Sequence, residues 1–193
     1  SVGLYLTEDN RGASDAGKAY NNGLITFGED SIGMFYKAET AGAYSALTGG
    51  LYNNGKLRSD SKNAIGMNFE SPLGSKEVVN GTTGENALGI YATGTGNYNI
   101  KNFGKIKLGS TVNKNTPVIG IYTNNENSII ENSGNITVGD KSLGIYGYSV
   151  NTQSSSDISV GKAGTGIYSL KGDLNLQGKM KVGTDEAKGV LVT

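Results

Sequence analysis

Short alternating runs of Ile, Leu, Val and Tyr, broken by Gly- and Asn-rich stretches, extend along the whole chain. Alternation with period two predicts half-buried strands, and the breaks predict turns. One tetrapeptide, apolar-Gly-apolar-aromatic, keeps returning. It reads Val2-Gly3-Leu4-Tyr5, Ile32-Gly33-Met34-Phe35, Leu88-Gly89-Ile90-Tyr91, Ile119-Gly120-Ile121-Tyr122, Leu143-Gly144-Ile145-Tyr146 and Thr165-Gly166-Ile167-Tyr168. Ile65-Gly66-Met67-Asn68 and Lys188-Gly189-Val190-Leu191 are degenerate copies. The central glycines are separated by 30, 33, 23, 31, 24, 22 and 23 residues, so the minimal unit is 22 residues.

A second segment recurs between these anchors, clearest in Ile100–Gly109 and Ile130–Gly139, with weaker copies at 19–28, 51–57, 154–161 and 174–183. Its alternation places Ile100, Asn102, Gly104, Ile106 and Leu108 on one face and Lys101, Lys105 and Lys107 on the other. In the anchor, the residues flanking the glycine are expected on one face, with Gly and Tyr on the opposite one. A 22-residue unit of two or three strands closes no core alone, whereas stacked units bury a continuous apolar column. The expected fold is therefore all-β, a right-handed parallel β-helix with about 22 residues per coil, forming a single segment over 1–193. Asn21, Asn53, Asn102 and Asn132 are expected to form an amide ladder at a corner, each followed by a glycine supplying positive φ. The longer units are expected to differ by surface loops at 6–19, 36–50, 69–77 and 110–117.

Composition narrows the chemistry. The 17 Lys and Arg balance 17 Asp and Glu, so no surplus of basic charge points to nucleic acid. Cys, His and Trp are absent, which excludes disulfides, thiol nucleophiles, Cys/His zinc sites and imidazole catalysis. No apolar run is long enough for a membrane-spanning helix, and no membrane insertion is expected. Gly12-Ala13-Ser14-Asp15-Ala16-Gly17-Lys18 has phosphate-loop spacing, but Ala19 replaces the magnesium-binding hydroxyl and no strand-then-helix context surrounds it. Acidic pairs at Glu8-Asp9, Glu29-Asp30 and Asp185-Glu186 occupy unrelated repeat positions, so stacking would not gather them for the work of a polysaccharide lyase or hydrolase. That enzyme class is the alternative. No catalytic residue, metal site or cofactor is expected. Tyr91, Tyr122, Tyr146 and Tyr168, preceded by Tyr5 and Phe35, share one outward slot and are expected to form an aromatic stripe able to bind a partner.

The anchors, together with Ile130-Glu131-Asn132-Ser133-Gly134-Asn135-Ile136-Thr137-Val138-Gly139 and its relatives, resemble the repeats of fusobacterial-type autotransporter adhesins, the type V secreted passengers. The resemblance covers nearly the whole chain and is clearest from 87 to 193. It implies a β-helical passenger fragment of a larger protein, held at the bacterial cell surface by an outer-membrane barrel. It also implies adhesion to a host-cell or bacterial surface protein or glycan, and a role in biofilm growth or virulence. Loops on a rigid stalk would make the contact. Cut ends would favour end-to-end self-association.

Overall fold

The computed structural model describes residues 1–8, 18–38, 50–59, 61–70, 75–82, 88–94, 97–113, 115–170 and 173–193. They contain twenty strands, β1 to β20 in chain order, and no helix. The anchors build one eight-stranded sheet, in the order β1 (Val2–Glu8), β4 (Ile32–Ala38), β7 (Ile65–Glu70), β9 (Leu88–Thr93), β11 (Ile119–Thr123), β14 (Leu143–Gly147), β17 (Thr165–Ser169) and β20 (Lys188–Val192). Their register follows the motif: Ile121 pairs with Ile90 and Ile145, and Tyr122 with Tyr91 and Tyr146.

The second recurring segment builds a ten-stranded sheet with two arms. The first arm runs through β2 (Lys18–Asn21), β5 (Gly50–Asn53), β8 (Ser75–Thr82), the front of β10 (Asn97–Lys107), β12 (Ile129–Asn132), β15 (Ser149–Thr152) and β18 (Leu174–Asn175). The second runs from the back of β10 through β13 (Asn135–Val138), β16 (Asp157–Val160) and β19 (Lys179–Val182). β10 belongs to both, pairing with β12 through Asn99–Asn102 and with β13 through Lys105–Lys107. β3 (Leu24–Thr26) and β6 (Lys56–Arg58) form a separate pair. Every pairing between described strands is parallel. Parallel sheets bury their strands, and here one side of each sheet does so.

The core is a set of aliphatic columns. Ile90, Ile121, Ile145 and Ile167 of the eight-stranded sheet join Ile106, Ile136 and Ile158 of the second arm and Ile100, Ile130 and Val150 of the first. All of these are essentially inaccessible, each worth about 1.5–3 kcal/mol of burial.

The anchor glycine is oriented differently from the expected alternation. A Cβ on Gly120 would lie 2.8 Å from Ile136 Cγ2 and collide with the Gly144 carbonyl oxygen. Gly89 and Gly144 meet Ile106 and Ile158 in the same way. The glycine therefore faces the core, and the register passes over it, linking Ile119 to Leu143 and then Ile121 to Ile145. The residue before it, Leu88 or Leu143, is half-buried on the outer side with the tyrosines. Only glycine lets the two sheets approach this closely.

The asparagine ladder is present. Asn21 Nδ2 donates to Asn53 Oδ1 at 2.8 Å, Asn102 Nδ2 to Asn132 Oδ1 at 2.7 Å, and Asn132 Nδ2 to Ser156 Oγ at 2.6 Å. Asn80 stands between Asn53 and Asn102 in register. Its accompanying glycines do a different job from the one expected. Gly23, Gly55, Gly104 and Gly134 do not have positive φ. A Cβ on Gly134 would instead run into the Gly104 backbone, 2.8 Å from its nitrogen. At Gly55 and Gly134 space, not handedness, requires glycine, whereas Gly23 has open space around it and Gly178, at the same corner of the last copy, does have positive φ, 87°.

Non-glycine residues take the left-handed conformation at another corner. Asp30, Asn63, Lys141, Ala163 and Glu186, each three residues before an anchor glycine, all have φ between 51° and 65°. In the copy anchored at Gly120 that position is Pro117, whose ring fixes negative φ; this copy carries the 110–117 insertion instead.

The expected loops are shorter than drawn from sequence. Residues 6–8, 36–38 and 69–70 continue strands, with Tyr36 and Phe69 fully buried, and 18–19, 50 and 75–77 begin others. The rest of the 6–19, 36–50 and 69–77 loops, and all of the phosphate-loop-like stretch but Lys18, lie outside the described residues.

Candidate binding face

The outer side of the eight-stranded sheet carries two rows. Ile65, Leu88, Ile119 and Leu143 form an aliphatic row, because the inward glycine turns its preceding neighbour outward. The other row holds the aromatic residues. Tyr91 and Tyr122 stack with centroids 5.1 Å apart, Tyr122 and Tyr146 at 4.9 Å, and Tyr146 and Tyr168 at 5.2 Å, with interplanar angles of 22°, 13° and 17°. All four sequence-predicted residues are thus brought together as one stack. Tyr5 and Phe35 form a separate, tilted pair at 5.2 Å. Asn68 separates the two groups in register, buried, with its Oδ1 lacking a hydrogen-bond partner.

The stack determines what the row can offer. Ring faces are turned toward one another, leaving ring edges and hydroxyls for a partner. Burial raises the Tyr122 pKa above its ordinary 10.0, with further contributions from Tyr146, Tyr91 and Tyr148. Tyr146 is also raised, by burial first and then by Tyr168 and Tyr148. Tyr122 and Tyr146 are therefore held as phenols, able to donate and accept hydrogen bonds.

The described part of the 110–117 insertion, all but residue 114, is a built element. Thr111 N donates to Ser142 Oγ at 3.0 Å, Val118 N donates to Thr111 Oγ1 at 2.9 Å, and Asn113 Oδ1 accepts from Asn115 N at 3.0 Å. Its end, Asn115 to Pro117, walls a hollow of about 570 Å3 with Ile65, Leu88, Ile119, Tyr91 and Tyr122. Val112 stands on the same insertion 94% exposed. Such a surface, with aliphatic side chains, aromatic edges, amides and hydroxyls but no charge among its described lining, can accept a neutral amphipathic group.

Two features escaped the sequence reading. Tyr20 and Tyr52 stack at 4.9 Å on the first arm, with Lys18 Nζ 5.8 Å from the Tyr52 ring; their alternation next to Asn21 and Asn53 was a usable signal. Tyr36, Phe69 and Tyr98 form an interior aromatic cluster, stacked at 4.5 Å and edge-on at 4.9 Å. Among the described residues no group of three or more acidic side chains is placed to hold a metal. Among the described residues, no helix is long and apolar enough to cross a membrane. Comparison with family models, curated proteins and solved structures gives no match to the chain.

Proposed function

We propose that this chain is a segment of a right-handed parallel β-helical adhesin, displayed on a bacterial surface and attaching to a protein or glycan of another cell. The observation that carries the reading is the four-tyrosine stack on an outer face, bordered by an aliphatic row and by the hollow beneath the 110–117 insertion. Parallel pairing throughout and the fixed order in which the chain visits its sheets support the helical stalk. A stalk repeats the same contact along its length, so weak individual contacts add by multivalency. The role is non-enzymatic.

The test uses the labelled 193-residue chain on epithelial cells and on suspended bacteria. Binding is expected to fall at least about fivefold when Tyr91, Tyr122, Tyr146 and Tyr168 are all changed to Phe, which keeps the stack and removes the hydroxyls, and further when 110–117 is shortened. Binding that ignores both changes, or no binding to any cell, would refute the reading.

A further inference from the structure

The net charge of zero conceals a basic face. On the second arm and on β6 below it, the outward positions hold Lys56, Arg58, Lys105, Lys107, Lys179 and Lys181, every one exposed. Register aligns the last four. Lys105 leads through Asn135 and Asp157 to Lys179, and Lys107 through Thr137 and Ser159 to Lys181. Lys56 and Arg58 lie on β6 on the far side of β8, whose register against β10 shifts between Asn102 and Lys105, so they extend this side without strict alignment. Asp157 is the single acidic side chain among the described outward positions of these strands. Arg58, Lys105 and Lys107 also interact within the protein while remaining exposed.

The spacing describes a ligand. Alternate residues on one strand are about 6.7 Å apart, and neighbouring strands about 4.8 Å. The cations on β10 and β19 therefore form pairs about 6.7 Å wide and about 14 Å apart along the stacking direction, three strand spacings through β13 and β16, with the β6 pair on the other side of β10. Asn135, Thr137 and Ser159 fill the interval with hydroxyl and amide groups. We propose that this face binds an acidic linear polysaccharide carrying sulfate as well as carboxylate groups, laid along the cation pairs, with its hydroxyls meeting the polar residues between them. Nucleic acid fits less well. Its binders add a row of aromatic side chains to a basic groove, whereas among the described outward positions of these strands there is no aromatic side chain, Phe103 preceding them on β10. Nor does the chain have the overall positive charge that steers nucleic acid from a distance.

This site is separate from the tyrosine face and does not depend on the adhesive reading. The test measures binding of the full 193-residue chain to immobilised heparin at about 0.15 M salt. Replacing Lys105, Lys107, Lys179 and Lys181 with Gln should weaken binding at least about tenfold, and Lys179→Gln with Lys181→Gln alone should weaken it about threefold. Replacing Lys37, Lys62, Lys141 and Lys188 with Gln removes equal charge elsewhere and should change it less than twofold. Circular dichroism checks that each variant is folded; if the fourfold variant is not, the Lys179/Lys181 pair decides. No heparin binding by the parent chain, or equal losses in the two fourfold variants, would overturn the proposal. Tighter binding to single-stranded DNA than to heparin would assign the face to nucleic acid instead.

Discussion

Strands β4 and β7 occupy the same sheet, in the same register, as β14 and β17, yet they enclose different interiors. The early strands present Met34 and Tyr36, then Met67 and Phe69, all inaccessible. The late ones present Ile145 and Gly147, then Ile167 and Ser169, equally inaccessible. Tyr98 adds its ring to the early interior, and its hydroxyl donates to the Thr93 carbonyl. One backbone pattern thus encloses either a wide aromatic core or a narrow aliphatic one. Interior volume is chosen side chain by side chain, while register is held by the anchor glycine and the asparagine corner.

Emptying the wide core should have the largest effect. Phe69→Ala removes a ring stacked on Tyr36 and edge-on to Tyr98, and should cost about 4 kcal/mol by urea denaturation. Overfilling the narrow one comes next. Gly144→Ala drives a methyl group into the Gly166 carbonyl and to 3.1 Å from Ile158 Cγ2, and should cost about 3 kcal/mol. Gly189→Ala, at the same motif position on the outermost strand, meets only Met180 Sδ, at 3.3 Å. It should cost less than about 1 kcal/mol, and equal costs at Gly144 and Gly189 would refute the close-approach explanation.

The corner separates the regions by a smaller margin. Asn132→Ala strands the Asn102 amide in a buried position and should cost about 2–3 kcal/mol, whereas Asn21→Ala at the first ladder position should cost about 1 kcal/mol. Ala163→Gly relieves a left-handed residue and should raise the denaturation midpoint, by about 0.5–1 kcal/mol in stability.

The smallest effect depends on pH. Because Tyr122 and Tyr146 have raised pKa values when folded, the native state keeps protons that the unfolded chain has released. This produces no stability difference below the ordinary tyrosine pKa of about 10, and a progressive loss as pH rises through that value toward the folded ones. Tyr122→Phe should therefore lose less stability than the parent between about pH 9 and 11, measured as the shift in urea midpoint.

Much of this was legible in the sequence. The anchor spacing located the eight strands of one sheet, and the asparagine period located the ladder, because both are repeated requirements met by the same residue type each time. The left-handed corner was not legible, since Asp30, Asn63, Lys141, Ala163 and Glu186 share a conformation but no side-chain chemistry. The inward glycine was misread because strict alternation assumes one pleat throughout, and the register passes over this residue. Tyr36 and Phe69 were read as loop because the wide interior that receives them forms only when distant strands meet. The tyrosine stack was legible, but the orientation of its rings, edges outward, follows from packing. The basic face was half legible: alternation put Lys105 and Lys107 on one side of their strand, but their alignment with Lys179 and Lys181 needs the register, and a charge total of zero sums over surfaces pointing in different directions.

The register has a consequence for the lineage of such chains. Gly144 and Gly166 are 22 residues apart, and each strand around them pairs with its counterparts one unit away. Excising 143–164 would join Ser142 to Thr165 and set Ile121 beside Ile167 and Tyr122 beside Tyr168, like meeting like. A recombination event that drops or duplicates one such unit leaves no mismatched seam, so descendants of this gene can grow or shrink in length while inheriting every contact rule unchanged.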